Sequence, residues 1–319
     1  MIKNRRKRGA MALAFLFLFL TAAPKVVHGA VAVETDRACS VSVELDGTYE
    51  ELLGLSVPVD FYRVAEVKVD GTYQALPEYQ ALDASLSGVN DSTTAEAWLE
   101  MAAQAAEITE ASGVDTEKSI TLEAGKGVAE GLPTGMYLVM AQIVESPEYS
   151  YSFTPYLLSL PGNDYYNTGD DTWNYDITVG LKPQQDNRLG RLVIEKTLTA
   201  YNATLGGASF IFQVEATRAG EKVYSNVVSL VFDGPGTRSI EIEGLPAGAE
   251  VTVREIYTGA SYEAVTDPVR TTQIIADSMA GAPASVSFEN TYDEHLRGGT
   301  SVVNRFTYNE DGTYDWEQQ

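Results

Sequence analysis

The stretch Arg191-Leu-Val-Ile-Glu-Lys196-Thr-Leu198 alternates polar and apolar side chains, which is typical of a half-buried β-strand. Leu192 and Ile194 share one face of this strand, and Lys196 continues the same face. A lysine that points into a sandwich core costs free energy unless its charge is neutralised or consumed. We therefore expect partners for Lys196 in the core of this domain.

Two later stretches offer such partners. Val251-Thr-Val-Arg-Glu255-Ile-Tyr257 carries Glu255, and Val286-Ser-Phe-Glu-Asn290-Thr-Tyr292 carries Asn290. A lysine on the first strand, a glutamate on a middle strand and an asparagine on the last strand can meet in one core. An amine and a carboxamide held together beside a carboxyl group can condense into a side-chain amide.

Each of the three residues also has a simpler interpretation. Lys196 can extend along a sheet edge to solvent. Glu255 can pair with Arg254 or Lys222 at the surface, and Asn290 can end its strand. The occurrence of all three residue types on three strand-like segments of one domain favours the amide.

The rest of the chain predicts an all-β fold of two Ig-like sandwiches in series, with one helix inserted in the first. The helix covers residues 93–111, where Thr93 and Glu96 form a capping box and Gly113 ends the run. Strand patterns in the first domain lie in residues 39–82, 119–122, 136–143, 151–160 and 173–179. Those of the second domain lie near 191–198, 208–216, 222–232, 238–243, 250–257 and 284–292.

These patterns divide the 319 residues into four parts. Residues 1–32 are a signal peptide, 33–183 the first domain, 184–292 the second domain, and 293–319 a tail with a glycine hinge. The polar stretch Lys182-Pro-Gln-Gln-Asp-Asn187 contains proline and lacks apolar periodicity, so it is predicted as a short linker.

The first 32 residues predict export. Basic residues at positions 3 to 8 precede an apolar run from Ala10 to Ala23, and Ala30-Val31-Ala32 offers a small-residue cleavage site. We expect contact with the membrane only through this segment, during export. The chain has 45 acidic against 22 basic residues, which argues against nucleic acid and anionic lipid as partners.

The sequence does not suggest an enzyme, a cofactor or a metal site. Cys39 is the single cysteine, so no intramolecular disulfide can form. The only histidine outside the signal peptide, His295, lies in a linker-like stretch, which disfavours histidine-based catalysis. The Asp-Gly turns at Asp46 and Asp70 lack the ligand series of a calcium loop.

With these residues in view, the chain resembles Gram-positive sortase-assembled pilin subunits. The domains resemble the collagen-adhesin B-type (Cna-B-like) and streptococcal pilin isopeptide-linkage families. The resemblance is carried by Lys196-Thr197, by the Val-x-Val-x-Glu of 251–255 and by the Phe-Glu-Asn-Thr-Tyr of 288–292. It covers most of residues 190–292 and is looser over 39–182.

The resemblance implies a structural subunit or accessory of a surface pilus, on the cell wall or secreted. Lys196 and Asn290 would form an autocatalytic isopeptide bond, with Glu255 as the proton shuttle. Burial would lower the pKa of the amine and raise that of the carboxyl group. The reaction occurs once per molecule and is not enzyme turnover. The implied partners are other pilin subunits and a pilus sortase.

A weaker resemblance concerns the family's pilin motif, Trp-x-x-x-Val-x-Val-Tyr-Pro-Lys. Trp173, Ile177, Val179 and Lys182 fall at those spacings, but Gly-Leu replaces Tyr-Pro. If the motif holds, Lys182 is the amine that a sortase joins to the next subunit. The alternative is an ordinary solvated lysine.

The alternative function is a secreted adhesin for a host protein or glycan. The aromatic loop Tyr165-Tyr-Asn-Thr-Gly-Asp-Asp-Thr-Trp173 has rings that can stack on sugars. A complete pilin also carries a C-terminal sorting signal, whereas the printed sequence ends at Tyr314-Asp-Trp-Glu-Gln-Gln319. We therefore expect a truncated sequence, a minor or released component, or a subunit that is held non-covalently.

Overall fold

A computed structural model of the chain describes residues 32–90, 92–163, 172–294, 304–309 and 314–318. Nearly all of the predicted signal peptide, His295, the glycine hinge and residues 165–171 of the aromatic loop lie outside these ranges. In the described part of the chain, no helix is long and apolar enough to cross a membrane.

The described chain consists mainly of β-strands, and the predicted all-β class is confirmed. The elements up to Gly180 are β1 (Cys39–Glu44), β2 (Val57–Val67), β3 (Tyr73–Ala75), α1 (Asp83–Ser87), α2 (Ala95–Ser112), β4 (Lys118–Leu122), β5 (Lys126–Leu132), β6 (Gly135–Ala141), β7 (Val144–Glu145), β8 (Tyr149–Phe153), β9 (Tyr156–Leu160), β10 (Gly162–Asn163), β11 (Trp173–Asn174) and β12 (Asp176–Gly180). The later elements are β13 (Pro183–Asn187), β14 (Leu189–Leu198), β15 (Ala208–Arg218), β16 (Glu221–Phe232), β17 (Gly236–Pro246), β18 (Glu250–Tyr257), β19 (Tyr262–Ala264), β20 (Val269–Gln273), β21 (Ala284–Tyr292), β22 (Asn304–Tyr308) and β23 (Tyr314–Gln318). Short 3-10 turns lie at Glu51–Gly54, Pro77–Leu82 and Ala203–Leu205.

The chain forms two compact units. The first contains the chain up to Gln142 together with Phe153–Pro183, and the second contains Ile143–Ser152 together with the chain from Gln184 onward. Ile143–Ser152 lies within the first domain as the sequence divides it, so this segment belongs to a different unit from the one we expected.

The first unit contains a three-stranded and a five-stranded sheet. In the smaller sheet β1 lies between β12, to which it is parallel, and β5, to which it is antiparallel. The larger sheet has the order β3-β2-β6-β9, with β4 also paired to β2. Helix α2 packs its buried face, including Met101 and Ala105, into the core that contains Met136 and Leu138.

The second unit places Lys196, Glu255 and Asn290 in a β-sandwich. One sheet has the strand order β17-β14-β21-β19, and the other has β16-β15-β18-β20. The apolar faces of the two sheets share one core, because alternate residues of each strand point inward. Core residues from the four central strands include Leu192, Ile194, Phe210, Phe212, Val251, Val253, Val286 and Phe288.

The predicted helix exists, but its capping residue is different. Helix α2 begins at Ala95, and the Oγ1 atom of Thr94 accepts a hydrogen bond from the Ala97 amide at 3.2 Å. Thr93 instead accepts from the Asn90 amide in the preceding turn. The predicted Thr93–Glu96 box is therefore wrong, because two adjacent threonines compete for the same role and the second one caps the helix. The short helix α1 was not predicted.

Two strand predictions also need correction. The predicted strand 151–160 is two strands, β8 and β9, which are separated at Thr154-Pro155, where proline lacks a backbone donor. The predicted linker 182–187 is largely strand β13, because its backbone pairs with the neighbouring strand β8. A polar sequence can form a strand when a neighbouring strand supplies the backbone partners.

Candidate functional site

Lys196 lies on the core-facing side of β14 and has no exposed surface. The strand alternates as the sequence predicts, with Leu192, Ile194 and Lys196 buried on one face. The Nζ atom lies 4.8 Å from the centre of the Phe210 ring and 5.9 Å from that of Phe212. The amine is therefore surrounded by aromatic carbon and is removed from water.

Glu255 comes from the opposite sheet. It lies on β18, and its backbone pairs with Phe212 on β15. Val251 and Val253 precede it on the same buried face, and the Glu255 side chain has no exposed surface. The sandwich therefore presents this carboxyl group across the core to β14.

Asn290 lies on β21, the strand next to β14. The two strands are parallel, with Lys196 opposite Phe288 and Leu198 opposite Asn290. Asn290 is fully buried, and its backbone oxygen accepts a hydrogen bond from the Thr199 amide at 3.0 Å. Thr199 thus fixes the backbone at the point where the carboxamide enters the core, a role that the sequence did not reveal.

The three side chains meet, as the sequence predicted. The Lys196 Nζ atom lies 2.7 Å from the Oε1 atom of Glu255 and donates a hydrogen bond to the Oδ1 atom of Asn290. The Nδ2 atom of Asn290 donates to the same Glu255 Oε1 atom at 3.0 Å. One carboxyl oxygen therefore contacts both the amine and the carboxamide nitrogen. The other oxygen, Oε2, has no hydrogen-bond partner among the described residues.

Burial shifts the pKa values of Lys196 and Glu255 in the directions that favour the uncharged amine and the uncharged acid. It lowers the pKa of Lys196, and the hydrogen bond and charge of Glu255 offset only part of that effect. It raises the pKa of Glu255, against the opposing influence of Lys196 and Asn290. In this site a neutral amine beside a neutral acid costs less desolvation free energy than an ion pair.

The simpler interpretation of Glu255 does not hold in this structure. Lys222 pairs with Glu215, with 2.6 Å between Nζ and Oε1, on the exposed side of β15 and β16. Arg254 precedes Glu255 on the strand and lies on the exposed face. Lys196 and Asn290 are likewise buried and do not lie at a solvated sheet edge or a free strand end.

Lys182 lies apart from this site in the chain. It is exposed and follows β12, two residues after Gly180, where it directly precedes β13. Its side chain is accessible to another protein. Trp173, which opens the same motif, packs against the core of the first unit.

Part of the second unit matches a known family. Residues 192–293 match a family described as "Domain of unknown function (DUF5979)", a range that includes Lys196, Glu255 and Asn290. Among curated proteins, none matches the sequence closely enough to count as a relative.

Several solved structures are similar to the chain. The minor pilin GBS52 of Streptococcus agalactiae shares 13% identity over 82% of this chain and 100% of that one, with a TM-score of 0.24. The major pilin SpaA of Corynebacterium diphtheriae shares 11% over 79% and 100%, with a TM-score of 0.24. The shaft pilin SpaA of Lactobacillus rhamnosus GG shares 12% over 82% and 100%, with a TM-score of 0.29.

The chain is similar to Gram-positive pilins. Within the described residues, no group of three or more histidine, cysteine, aspartate or glutamate side chains is placed to hold a metal ion.

Proposed function

We propose that this chain is a structural subunit or accessory of a surface pilus, and that its second unit makes its own Lys196–Asn290 isopeptide bond. One observation carries the crosslink: the Oε1 atom of Glu255 lies 2.7 Å from the Lys196 amine and 3.0 Å from the Asn290 carboxamide nitrogen. That single oxygen can take a proton from one nitrogen and give it to the other.

The reaction balances within these three side chains. The Lys196 Nζ atom attacks the Cγ atom of Asn290, so that a Cγ–Nζ bond forms and the Cγ–Nδ2 bond breaks. Glu255 takes one proton from the amine and delivers one to Nδ2, which leaves as ammonia. The carboxyl group returns to its starting state, and the fold supplies the proximity that a bimolecular amidation lacks.

The pilus role is supported by the sequence resemblance and by this site. A covalent crosslink suits an exported chain with one cysteine, which cannot form an intramolecular disulfide. The alternative of a glycan-binding adhesin depends on the loop 165–173. Its Trp173 is partly buried and packs against the core of the first unit, so only part of that ring is free to contact a sugar.

The crosslink is tested by the intact mass of the purified protein. We expect a mass one ammonia below the calculated value for the wild type and no such loss for Glu255→Gln, which keeps the shape but cannot relay the proton. Glu289→Gln is the matched control, since Glu289 lies beside Asn290 on the opposite face of β21. It should keep the loss. A wild-type mass equal to the calculated value would refute the bond.

We further propose that a sortase joins Lys182 to another subunit, because this lysine is exposed directly before β13. Co-expression with a pilus sortase and a subunit that carries a sorting signal should give ladders on denaturing gels. Lys182→Arg keeps the charge but removes the amine that is acylated, so the ladders should disappear. Lys126→Arg, at another exposed lysine, is the control and should leave them. Ladders that persist in Lys182→Arg would exclude this acceptor.

A further inference from the structure

The second unit contains a segment that comes from the middle of the first unit's sequence. We call Ile143–Ser152 the strap. It includes β7 and most of β8, and β8 pairs with β13. Tyr151 of the strap is fully buried, and its hydroxyl group accepts a hydrogen bond from Gln185 at 2.9 Å. The strap is therefore an integral part of the second unit.

Arg188 is a buried cation that the proposed crosslinking chemistry does not use. Only 8% of its side chain is exposed. On the strap it donates to the backbone oxygen of Ser146 at 2.5 Å and pairs with the carboxylate of Glu145 at 3.0 Å. On another segment it donates to the Ser278 hydroxyl at 2.5 Å and contacts the Met279 sulfur at 3.2 Å. Both terminal nitrogens of the guanidinium, Nη1 and Nη2, thus have partners.

Arg188 and its partners lie next to β14 and β21, the two strands that the proposed amide joins. Arg188 directly precedes β14, which carries Lys196, while Ser278 and Met279 precede β21, which carries Asn290. Since β14 and β21 are parallel, both strands begin at the same end of the sheet. Arg188 therefore fastens the strap and the two strand starts, whereas the proposed amide joins the strands near their other ends.

Further contacts hold the strap at the same place. The backbone amide of Arg188 donates a hydrogen bond to the backbone oxygen of Glu148 at 2.9 Å. Gly248 has a positive φ of 79°, and a Cβ atom there would lie 2.4 Å from the Glu148 side chain. The guanidinium of Arg218 lies 5.0 Å from the centre of the Tyr149 ring. The strap is thus in close contact with the rest of the second unit at several points besides the Arg188 side chain.

We propose that Arg188 is a lock that keeps the strap closed over the starts of β14 and β21, the part of the second unit that the amide does not protect. This proposal rests on the proposed function in one respect: it takes from it the amide that joins the other ends of β14 and β21. Without the arginine, the strap and the segment before β21 lose their shared partner. They then open together, while the sandwich between the two fastenings stays folded.

Hydrogen exchange of the full-length protein tests the lock. In Arg188→Met we expect amide exchange to rise about tenfold or more in residues 143–152 and 275–283, because both segments lose the hydrogen bonds that they make to the buried Arg188 guanidinium, which favours local opening. Exchange in β15 should stay unchanged. Unchanged exchange in the strap, or an equal rise in β15, would overturn the proposal.

Arg218→Met is the matched control, because Arg218 contacts Tyr149 but neither Ser278 nor Met279. It should leave exchange in residues 275–283 unchanged, and a rise there would count against a role specific to Arg188. Should Arg188→Met fail to fold, Ser278→Ala removes a single lock contact. It should raise exchange in residues 275–283, and no rise would again refute the lock. The intact mass of the same samples reports the amide separately, so failure of the crosslink and failure of the lock are distinguishable.

Discussion

A fully buried lysine is the residue on which the proposed chemistry depends. Ordinary burial of an ammonium group costs several kcal/mol, which a protein avoids by neutralising the group or pairing it. Here the Lys196 amine has both a carboxyl partner and a carboxamide within hydrogen-bond distance. If the amide forms, the charge is removed permanently, and the desolvation cost disappears with it.

The rate of bond formation should depend on pH as a bell-shaped curve. The pair reacts while Lys196 and Glu255 share one proton. In acid a second proton converts the amine to ammonium, and in alkali Glu255 loses the proton that the departing nitrogen needs. Because burial lowers the amine pKa and raises the carboxyl pKa, the limbs reflect those shifted values. The rates are measured by intact mass on chain that is recovered unreacted from inclusion bodies in urea, refolded at several pH values and quenched.

A monotonic profile that follows the ordinary lysine pKa would contradict this prediction, since it would place the amine in a solvated environment. Glu289→Gln should keep the bell shape, because that carboxylate is not hydrogen-bonded to the two nitrogens. Its acid limb should move toward lower pH, since the Glu289 charge raises the pKa of Lys196.

At this scale, the sequence predicted which three residues meet in the core but not their surroundings. The alternation in β14 placed Lys196 on the face of Leu192 and Ile194, and that prediction is confirmed. The aromatic side chains of Phe210 and Phe212 near the amine were not predicted, because such contacts depend on how two sheets pack. No periodicity in a single strand encodes that packing.

The start of strand β14 packs closely against the backbone of the segment around Ile275. A Cβ atom at Gly190 would lie 2.1 Å from the backbone oxygen of Ile275. Only a glycine lets the strand approach that carbonyl group so closely. The carbonyl belongs to a backbone segment and cannot move aside as a flexible side chain can.

Gly190→Ala should therefore destabilise the second unit by about 1–3 kcal/mol, the usual cost of forcing a group into a packed site. Denaturant unfolding in a Glu255→Gln background, where the amide is absent, measures this cost. The control is Gly207→Ala, whose Cβ atom would meet only ordinary contacts at 3.6 Å and beyond. Equal effects of the two substitutions would show that the close approach at Gly190 is unimportant.

The sequence predicted strand boundaries where apolar alternation is strong. It missed strands that form only because a distant strand pairs with them. The short strands β19 and β20 contain few buried side chains, so their sequences give little signal. Strand β13 reads as a linker because its residues are polar, yet it pairs with β8. Backbone pairing with a distant segment leaves no pattern in the strand's own sequence.

The described chain combines two units, and the proposed crosslink site lies in the second. Differential scanning calorimetry should therefore show two transitions, of which only one responds to changes at Glu255. Lys196 and Asn290 are 94 residues apart in sequence, and closing a loop of that size stabilises a fold by about 4–5 kcal/mol in the chain-entropy treatment. Loss of the amide in Glu255→Gln should lower the second unit's transition by about 10–15 °C.

The transition of the first unit serves as the internal reference and should stay in place. A shift of both transitions together would show that the two units unfold as one, and no shift in either would argue that the wild type lacks the bond.

At the scale of domains, composition and turn patterns predicted two all-β units with a division near residue 183. The strap could not be predicted. Its sequence is an ordinary strand-like stretch between strands of the first unit, and nothing local shows which unit it joins. Its place depends on buried contacts, above all with Arg188.

The parallel arrangement of β14 and β21 has a mechanical consequence. When a pull is applied at the start of β14 and at the end of β21, the force enters and leaves at opposite ends of two neighbouring strands. With an amide between Lys196 and Asn290, the tension would cross directly from one strand to the other. The chain between these residues would bear none of it, so a fibre of such subunits would transmit a pull with almost no lengthening of this unit.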